Sequence, residues 1–531
     1  MKMMFIGAAH EVTGSCTYLE VNGTKMLIDF GMEQGVDNFE NAKIPCSPSA
    51  IDYVLLTHAH IDHSGLLPLL YAGGFSGEIH TTEATAHLCS IMLRDSAHIQ
   101  EFEAQWRNRK AQRKGEEPYV PLYTMDDAIG AIALLRPHKY EDKFQLCEGV
   151  EVRFIDAGHL LGSASIEVWA TESDETRKIV FSGDIGNLNQ PLIRDPQYID
   201  EADFVVMEST YGDRKHERPK DYVTALAQVL QQTFDRGGSV IIPSFAVGRT
   251  QEILYFMRKI KVDGLVKNHD HFPVFMDSPL AIEATNIFMR NQNSCYDEEA
   301  MSYVKEGINP ISFEDLQLIT TPDESRAINF DKRCKVIISA SGMCEAGRIK
   351  HHLKHNLWQP QNTILFVGYQ AYGTLGRSLV EGANHVKLFG EVVQVNAQIK
   401  QLPGISGHAD VDGLTAWISH IKNVKRVFVI HGESTVMEHF TAHLQNDLKL
   451  SAYAPYSGTE FDPIANQITL EAIPKPIAKK SGTAKANTVY QRLLAVLERL
   501  TKIVKSAEGR TNKELARLTD QITEICNKFE K

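Results

Sequence analysis

A chain of 531 residues with 43% hydrophobic content is too long for one ordinary domain and apolar enough for two or three cores. Its formal net charge of −12 excludes a non-specific polybasic nucleic-acid binder, so any nucleic acid must be met locally or through metal ions. The eight cysteines (Cys16, Cys46, Cys89, Cys147, Cys295, Cys334, Cys344 and Cys526) contain no Cys-x-x-Cys pair, which argues against a disulfide framework and predicts free thiols in a cytoplasmic, reducing setting.

The first element, Met1-Lys-Met-Met-Phe-Ile-Gly7, has too short an apolar run for a signal peptide or a membrane span and reads as a strand. Short apolar runs that end in a metal-binding side chain then recur. Met26-Leu-Ile28 leads to Asp29, and Tyr53-Val-Leu-Leu56 leads to His58-Ala-His60-Ile-Asp62-His63. His58 and His60, two apart on an extended or turning backbone, can face one ion, whereas Asp62 and His63 begin a helical turn and diverge toward a second. Two ions close together predict hydrolysis by activated water, of phosphate esters, amides or thioesters. Without metal, these imidazoles and the carboxylate would need other partners. The stretch Arg94 to Tyr123, with Trp106-Arg-Asn-Arg-Lys110, is charged and weakly patterned; it reads either as a solvated helical insertion or as a basic excursion touching phosphates. Val152-Arg-Phe-Ile155 leads to His159 and Ile179-Val-Phe181 to Asp184. Open sheets flanked by helices place their sites beyond the carboxyl ends of strands, so these polar groups are expected to converge there.

From Glu208 to about Asn384 the texture becomes alternating strands and helices. Ser239–Phe245, Pro273–Asp277, Lys335–Ser339 and Thr363–Val367 read as buried strands, and Arg249–Lys261 as a helix, which predicts a doubly wound parallel sheet. Val427-Phe-Val-Ile430 then leads to His431, so the block is expected to be inserted into the metal domain, leaving a cleft between them for substrate. The expected boundaries are 1–208, 209–384 for the insertion, 385–470 for the return segment, and 471–531 for a linker and helical tail. Three turns of the inserted sheet are rich in small residues: Pro243 to Arg249, Ser339 to Arg348, and Gly368 to Arg377. Their backbone N–H groups, with Ser341, Thr374 and the guanidinium forks of Arg249, Arg348 and Arg377, form a candidate RNA-backbone track. In the tail, Val489, Leu493, Val496, Leu497, Leu500, Ile503 and Val504 predict one amphipathic helix, and Leu515, Leu518, Ile522 and Ile525 a second. Their apolar stripe calls for a partner, and a homodimer through the tail or the metal domain is one answer.

Taken in order, Asp29, His58-Ala-His60-Ile-Asp62-His63, Gly158-His159-Leu-Leu-Gly-Ser163, Ser182-Gly-Asp184, Glu208-Ser-Thr-Tyr-Gly-Asp213, Ser406-Gly-His408-Ala-Asp410 and Ile430-His431-Gly-Glu433 resemble the β-CASP group of metallo-β-lactamase-fold nucleases. That group contains the pre-mRNA 3′-end-processing endonuclease, its bacterial and archaeal relatives, and ribonuclease J. The resemblance spans nearly the whole chain up to the tail. It implies a metallo-β-lactamase αββα sandwich with an inserted β-CASP doubly wound α/β domain. It also implies two zinc ions, manganese being the alternative: one held by His58, His60 and His159, the other by Asp62, His63 and His431, with Asp184 bridging. Asp29 would orient these ligands from behind. His408, held by Glu208, would protonate the leaving oxygen, giving 5′-phosphate and 3′-hydroxyl ends on single-stranded RNA. Of the forms in the group, the compact bacterial one fits this length.

Three rivals remain at this stage. A DNA nuclease of the same fold resembles the family's repair branch, but there a non-histidine matches His431. A thioesterase or lactonase shares the His-x-His-x-Asp-His core, yet leaves the inserted sheet and the Glu208/His408 pair unexplained. A metal-free scaffold subunit conflicts with every ligand position being filled. Endonuclease or 5′-exonuclease action turns on a closed pocket for a terminal 5′-phosphate.

Overall fold

The computed structural model describes residues 1–34, 39–114, 118–216, 221–402, 406–477, 500, 504, 507 and 511–529. Residues 1–475 form one compact unit and 476–531 another.

In the first unit two sheets stack face to face. One runs Gln467–Leu470, Glu460–Asp462, Lys2–Gly7, Cys16–Val21, Thr24–Ile28, Tyr53–Leu55, Glu78–Thr82, Leu135–His138; the other runs Ala452–Tyr453, Arg426–Val429, Phe204–Met207, Glu175–Phe181, Ala164–Glu172, Val150–Asp156, Phe144–Cys147. Side chains alternate across a strand, and the sequence supplies apolar residues to both faces. Met3, Phe5, Leu19, Met26 and Ile28 meet Val152, Phe154, Ile166, Ile179, Phe181 and Phe428 between the sheets. Met4, Ile6, Tyr18, Leu27 and Val54 turn the other way, beneath an outer layer that includes Leu67, Leu88 and Ala128. On the second sheet Val180, Val205, Met207, Val427 and Val429 pack under Leu414, Trp417, Met437 and Phe440 of the helices Val411–His420 and Ser434–Asn446. This is the expected αββα sandwich.

The third sheet is entirely parallel, in the order Leu316–Leu318, Val274–Met276, Val336–Ser339, Val240–Pro243, Thr363–Phe366, Gln398–Gln401. Val240, Ile242, Val274, Met276, Val336 and Ile338 face one helical layer, whereas Ile241, Phe275, Ile337, Ile364 and Phe366 face the other, so the sheet is wound on both sides. Gln398–Gln401 lies beyond residue 384, and its Gln-Ile-Lys-Gln sequence carries no buried-strand signal because this edge strand is half-exposed. The helix Pro279–Arg290 of this region packs on the helix Glu83–Lys114 of the metal domain, where Asn291 Nδ2 donates to His87 at 3.2 Å. That junction shares one core.

The region 94–114, weakly patterned in sequence, is the outer part of this 32-residue helix, and it leaves Ile99, Phe102 and Trp106 exposed. All eight cysteines are free. Among the described residues no helix is long and apolar enough to cross a membrane. In the second unit the helix Asn512–Phe529 carries Leu515, Leu518, Ile522 and Ile525 as expected. The helix expected over Val489–Val504 lies outside the described residues apart from Leu500 and Val504.

Candidate metal centre

The Tyr53–Leu55 strand, flanked by parallel neighbours on both sides, delivers His58, and the short helix Ile61–Ser64 carries Asp62 and His63. This turn is held from beneath by Ser15 N–H donating to the Asp62 carbonyl and Phe30 N–H to the His63 carbonyl, both at 2.8 Å. The close approach needs glycine at Gly31, where a Cβ would stand 1.6 Å from the Asp62 carbonyl oxygen. His159 and Asp184 follow the Val150–Asp156 and Glu175–Phe181 strands, and His431 follows Arg426–Val429. Asp29 and His431 take left-handed backbone, φ 59° and 53°, which turns them out of the strand pleat toward the site.

Two sets of ligand atoms result. His60 Nδ1 lies 3.0 Å from His58 Nε2 and 3.2 Å from His159 Nε2, and the latter two are each 3.4 Å from Asp184 Oδ2. On the other side, His63 Nε2 is 3.2 Å from both His431 Nε2 and Asp184 Oδ1, and His431 Nε2 is 3.6 Å from Asp62 Oδ2. Asp184 thus offers one oxygen to each set. A tetrahedral ion with bonds of about 2.0 Å has ligand edges of about 3.3 Å, the spacing seen here. Asp184 Oδ1 is buried and accepts no well-formed hydrogen bond, an orphan that a cation would satisfy. The residues fit metal binding.

The electrostatics differ between ligands: burial lowers the His63 pKa, but Asp184 and Asp29 outweigh it and hold the ring well above the ordinary histidine range, a proton that a bound cation would displace. Burial, followed by the neighbouring His63, holds His58 down at about 3, so its imidazole is neutral and its lone pair is available. Burial opposes the Asp184 charge, yet His431, His63 and His408 around it keep the carboxyl well below the usual range.

Behind the ligands, each of four imidazoles is oriented through its other nitrogen. His63 Nδ1–H donates to Asp29 Oδ2 at 2.7 Å, and Asp29 is itself held by the Thr57 N–H and hydroxyl, both at 2.8 Å. With its proton on Asp29, the Thr57 hydroxyl accepts from His58 Nδ1–H at 3.1 Å. The His159 Nδ1–H donates to the Gly407 carbonyl at 3.0 Å, and His431 Nδ1–H to the Thr210 hydroxyl at 3.0 Å. Sequence reasoning found Asp29 but not Thr57, Thr210 or the Gly407 carbonyl. The signal available for the two threonines was a hydroxyl beside the His58–His63 motif and another within the Glu208–Asp213 motif. Asp29→Ala should lower metal affinity about 10- to 100-fold; competition against a chelating indicator reads this, and an unchanged affinity would remove Asp29 from the support of His63.

At the cleft side, His408 Nδ1 faces both Glu208 oxygens at 3.1 and 3.2 Å while its Nε2 lies 3.9 Å from Asp184 Oδ2. Glu208 is buried, fixed by the Ile185 N–H at 2.6 Å. Burial lowers the His408 pKa, but Glu208 and then Asp184 outweigh it and raise the ring to about 9.

The proposed phosphate-binding residues are less uniform. Ser341 and Thr374 lie on the carboxyl-end turns, Thr374 capping the helix Leu375–Val380, in which Arg377 is half-exposed and paired with Glu381 at 2.6 Å. The Arg348 guanidinium is instead committed to Asp277 at 2.6 Å and to the Ile319 and Thr320 carbonyls, and Arg249 is paired with Glu252. Asp277, which also accepts from His352 at 2.6 Å, was not singled out in the sequence because a buried Asp after a strand has no distinguishing neighbour pattern.

An αββα sandwich with two adjacent ligand sets at its mouth defines a metal-dependent hydrolase. The metallo-β-lactamase superfamily pattern matches residues 11–244, the Beta-Casp domain residues 250–379, and the Zn-dependent metallo-hydrolase RNA specificity domain residues 392–455. The chain belongs to the β-CASP family of metallo-β-lactamase-fold hydrolases. It is 36% identical to Ribonuclease TTHA0252 of Thermus thermophilus, over 82% of this chain and 93% of that protein. It is 30% identical to an RNase J-like protein of Methanocaldococcus jannaschii, over 86% of this chain and 98% of the relative. The Transcription termination factor FttA of the same organism is 29% identical, over 86% of this chain and 70% of its own length.

Proposed function

We propose that the protein is a cytoplasmic, zinc-dependent ribonuclease that hydrolyses single-stranded RNA to 5′-phosphate and 3′-hydroxyl ends, with internal cleavage as its main mode. The observation that carries this reading is the shared Asp184: its two oxygens serve two ligand sets, while His408, gripped by Glu208, faces the same point. Two zinc ions held there, when bound, supply a water of lowered pKa and neutralise phosphate charge. The protein's own groups do the rest. Asp29, Thr57, Thr210 and the Gly407 carbonyl hold the imidazoles so that their lone pairs converge, and His408 donates the proton the leaving 3′-oxygen needs. Ser341, Thr374 and Arg377 meet the RNA backbone, while Arg348 and Arg249 brace the rim on which they stand. Local contacts of this kind reconcile an acidic chain with an anionic substrate.

The test uses metal-loaded protein with an Asp184→Asn control on 5′-labelled linear RNA, its DNA counterpart and a circular RNA. Cleavage of linear and circular RNA by wild type alone is the expected result. An intact circle beside a degraded linear strand would reassign the protein as an exonuclease. Intact RNA under both zinc and manganese would overturn the ribonuclease reading.

A further inference from the structure

The carboxyl edge of the third sheet exposes large aromatic rings beside the metal centre. Phe245 follows the Val240–Pro243 strand, and its backbone is pinned by the Thr250 hydroxyl, which donates to the Phe245 carbonyl at 2.7 Å. Its ring extends over the turns that end the two neighbouring strands: a Cβ on Gly342 would stand 3.1 Å from it and one on Gly368 3.7 Å. Buried Gln370 ties those two turns together by donating to the Gly342 and Gly368 carbonyls at 3.1 and 3.2 Å. Fixed in this way, Phe245 is still 41% exposed, and Tyr369, next to Gly368, is 57% exposed.

Both rings border the catalytic groups. Gly248, in the Phe245 turn, lies against Leu160, the neighbour of His159. Tyr369 follows Gly368, over which the Phe245 ring lies, and Tyr211 has its ring centroid 6.1 Å from that of His408. A phosphodiester bound at Asp184 and His408 has flanking nucleotides that need a surface on the surrounding rim.

We infer that Phe245 and Tyr369 form a base-stacking shelf that holds the unpaired nucleobases flanking the scissile phosphate. This rests on the ribonuclease reading above and deepens it. An aromatic face accepts any base but needs that base's own face free, so the shelf selects single strands without selecting sequence. Phosphate contacts alone would not discriminate in this way.

The test compares the Michaelis constants of the metal-loaded full chain for a short oligoadenylate and for the same oligomer with abasic riboses on both sides of the scissile phosphate. Removing the bases should raise KM for wild type by about 30-fold or more, the scale of two lost stacks. Phe245→Ala and Tyr369→Ala should each raise KM for the intact oligomer and narrow that gap, whereas Phe245→Trp should preserve it. Thermal melts confirm that each variant is folded. A wild-type KM indifferent to the bases, or alanine variants with the wild-type ratio, would overturn the shelf. Failure of wild type to cut either oligomer would sink the ribonuclease reading instead, and anisotropy with the same two oligomers then decides the shelf by the same ratio.

Discussion

Asp184→Asn should lower RNA cleavage about 1,000- to 10,000-fold, equivalent to about 4 to 5.5 kcal/mol of transition-state stabilisation, and should also reduce the metal content of the purified protein. Asp184 is the group whose two oxygens reach both ligand sets, Oδ2 toward His58 and His159 and Oδ1 toward His63 and His431. An amide keeps the shape but removes the charge and replaces one oxygen with an NH₂ that cannot bind a cation, so one set keeps only a neutral carbonyl and the other loses its oxygen ligand, whichever way the side chain is turned. Five imidazoles would then surround the bound cations with Asp62 as the remaining anion, and the charge balance of a buried centre would fail. Chelation of the wild type should reproduce the activity loss. Elemental analysis and single-turnover cleavage read the two effects, and full metal content with wild-type turnover would remove Asp184 from the centre.

The residues that the fold gathers at the candidate centre were legible in sequence because metal binding demands particular side chains at strand ends, and six motif segments carry them in order. The supporting groups were harder to read. Thr57 and Thr210 act through single hydroxyls whose partners, Asp29, His58 and His431, are fixed only by the tertiary fold. The Gly407 carbonyl has no side-chain signature at all. Arg348 shows the opposite limit: an Arg beside a small-residue turn suits a phosphate, but Asp277, distant in sequence, claims its guanidinium. The central strands of the third sheet, buried on both faces, declared themselves as apolar runs. Its edge strands Leu316–Leu318 and Gln398–Gln401 did not, since one face and one edge are left to solvent.

His408→Ala should lower kcat on RNA about 100- to 10,000-fold, the range for loss of a positioned general acid. The leaving 3′-oxygen is strongly basic and needs a proton, whereas p-nitrophenolate does not, so a p-nitrophenyl phosphodiester should lose much less. An equal loss on both substrates would instead place His408 in ground-state or metal positioning. The pH profile gives an independent readout. A general acid works only while protonated, so activity should be full below its pKa and fall as pH rises through it. Glu208 and Asp184 raise His408 to about 9, and bound cations pull it down from there, which places the alkaline limb at or below pH 9. Glu208→Gln removes the largest upward influence on a ring that burial alone would depress, so its alkaline limb should move to lower pH than that of wild type. His408→Ala should have no limb from this group. A limb that stayed in place in Glu208→Gln would separate the two residues and assign the proton to another donor.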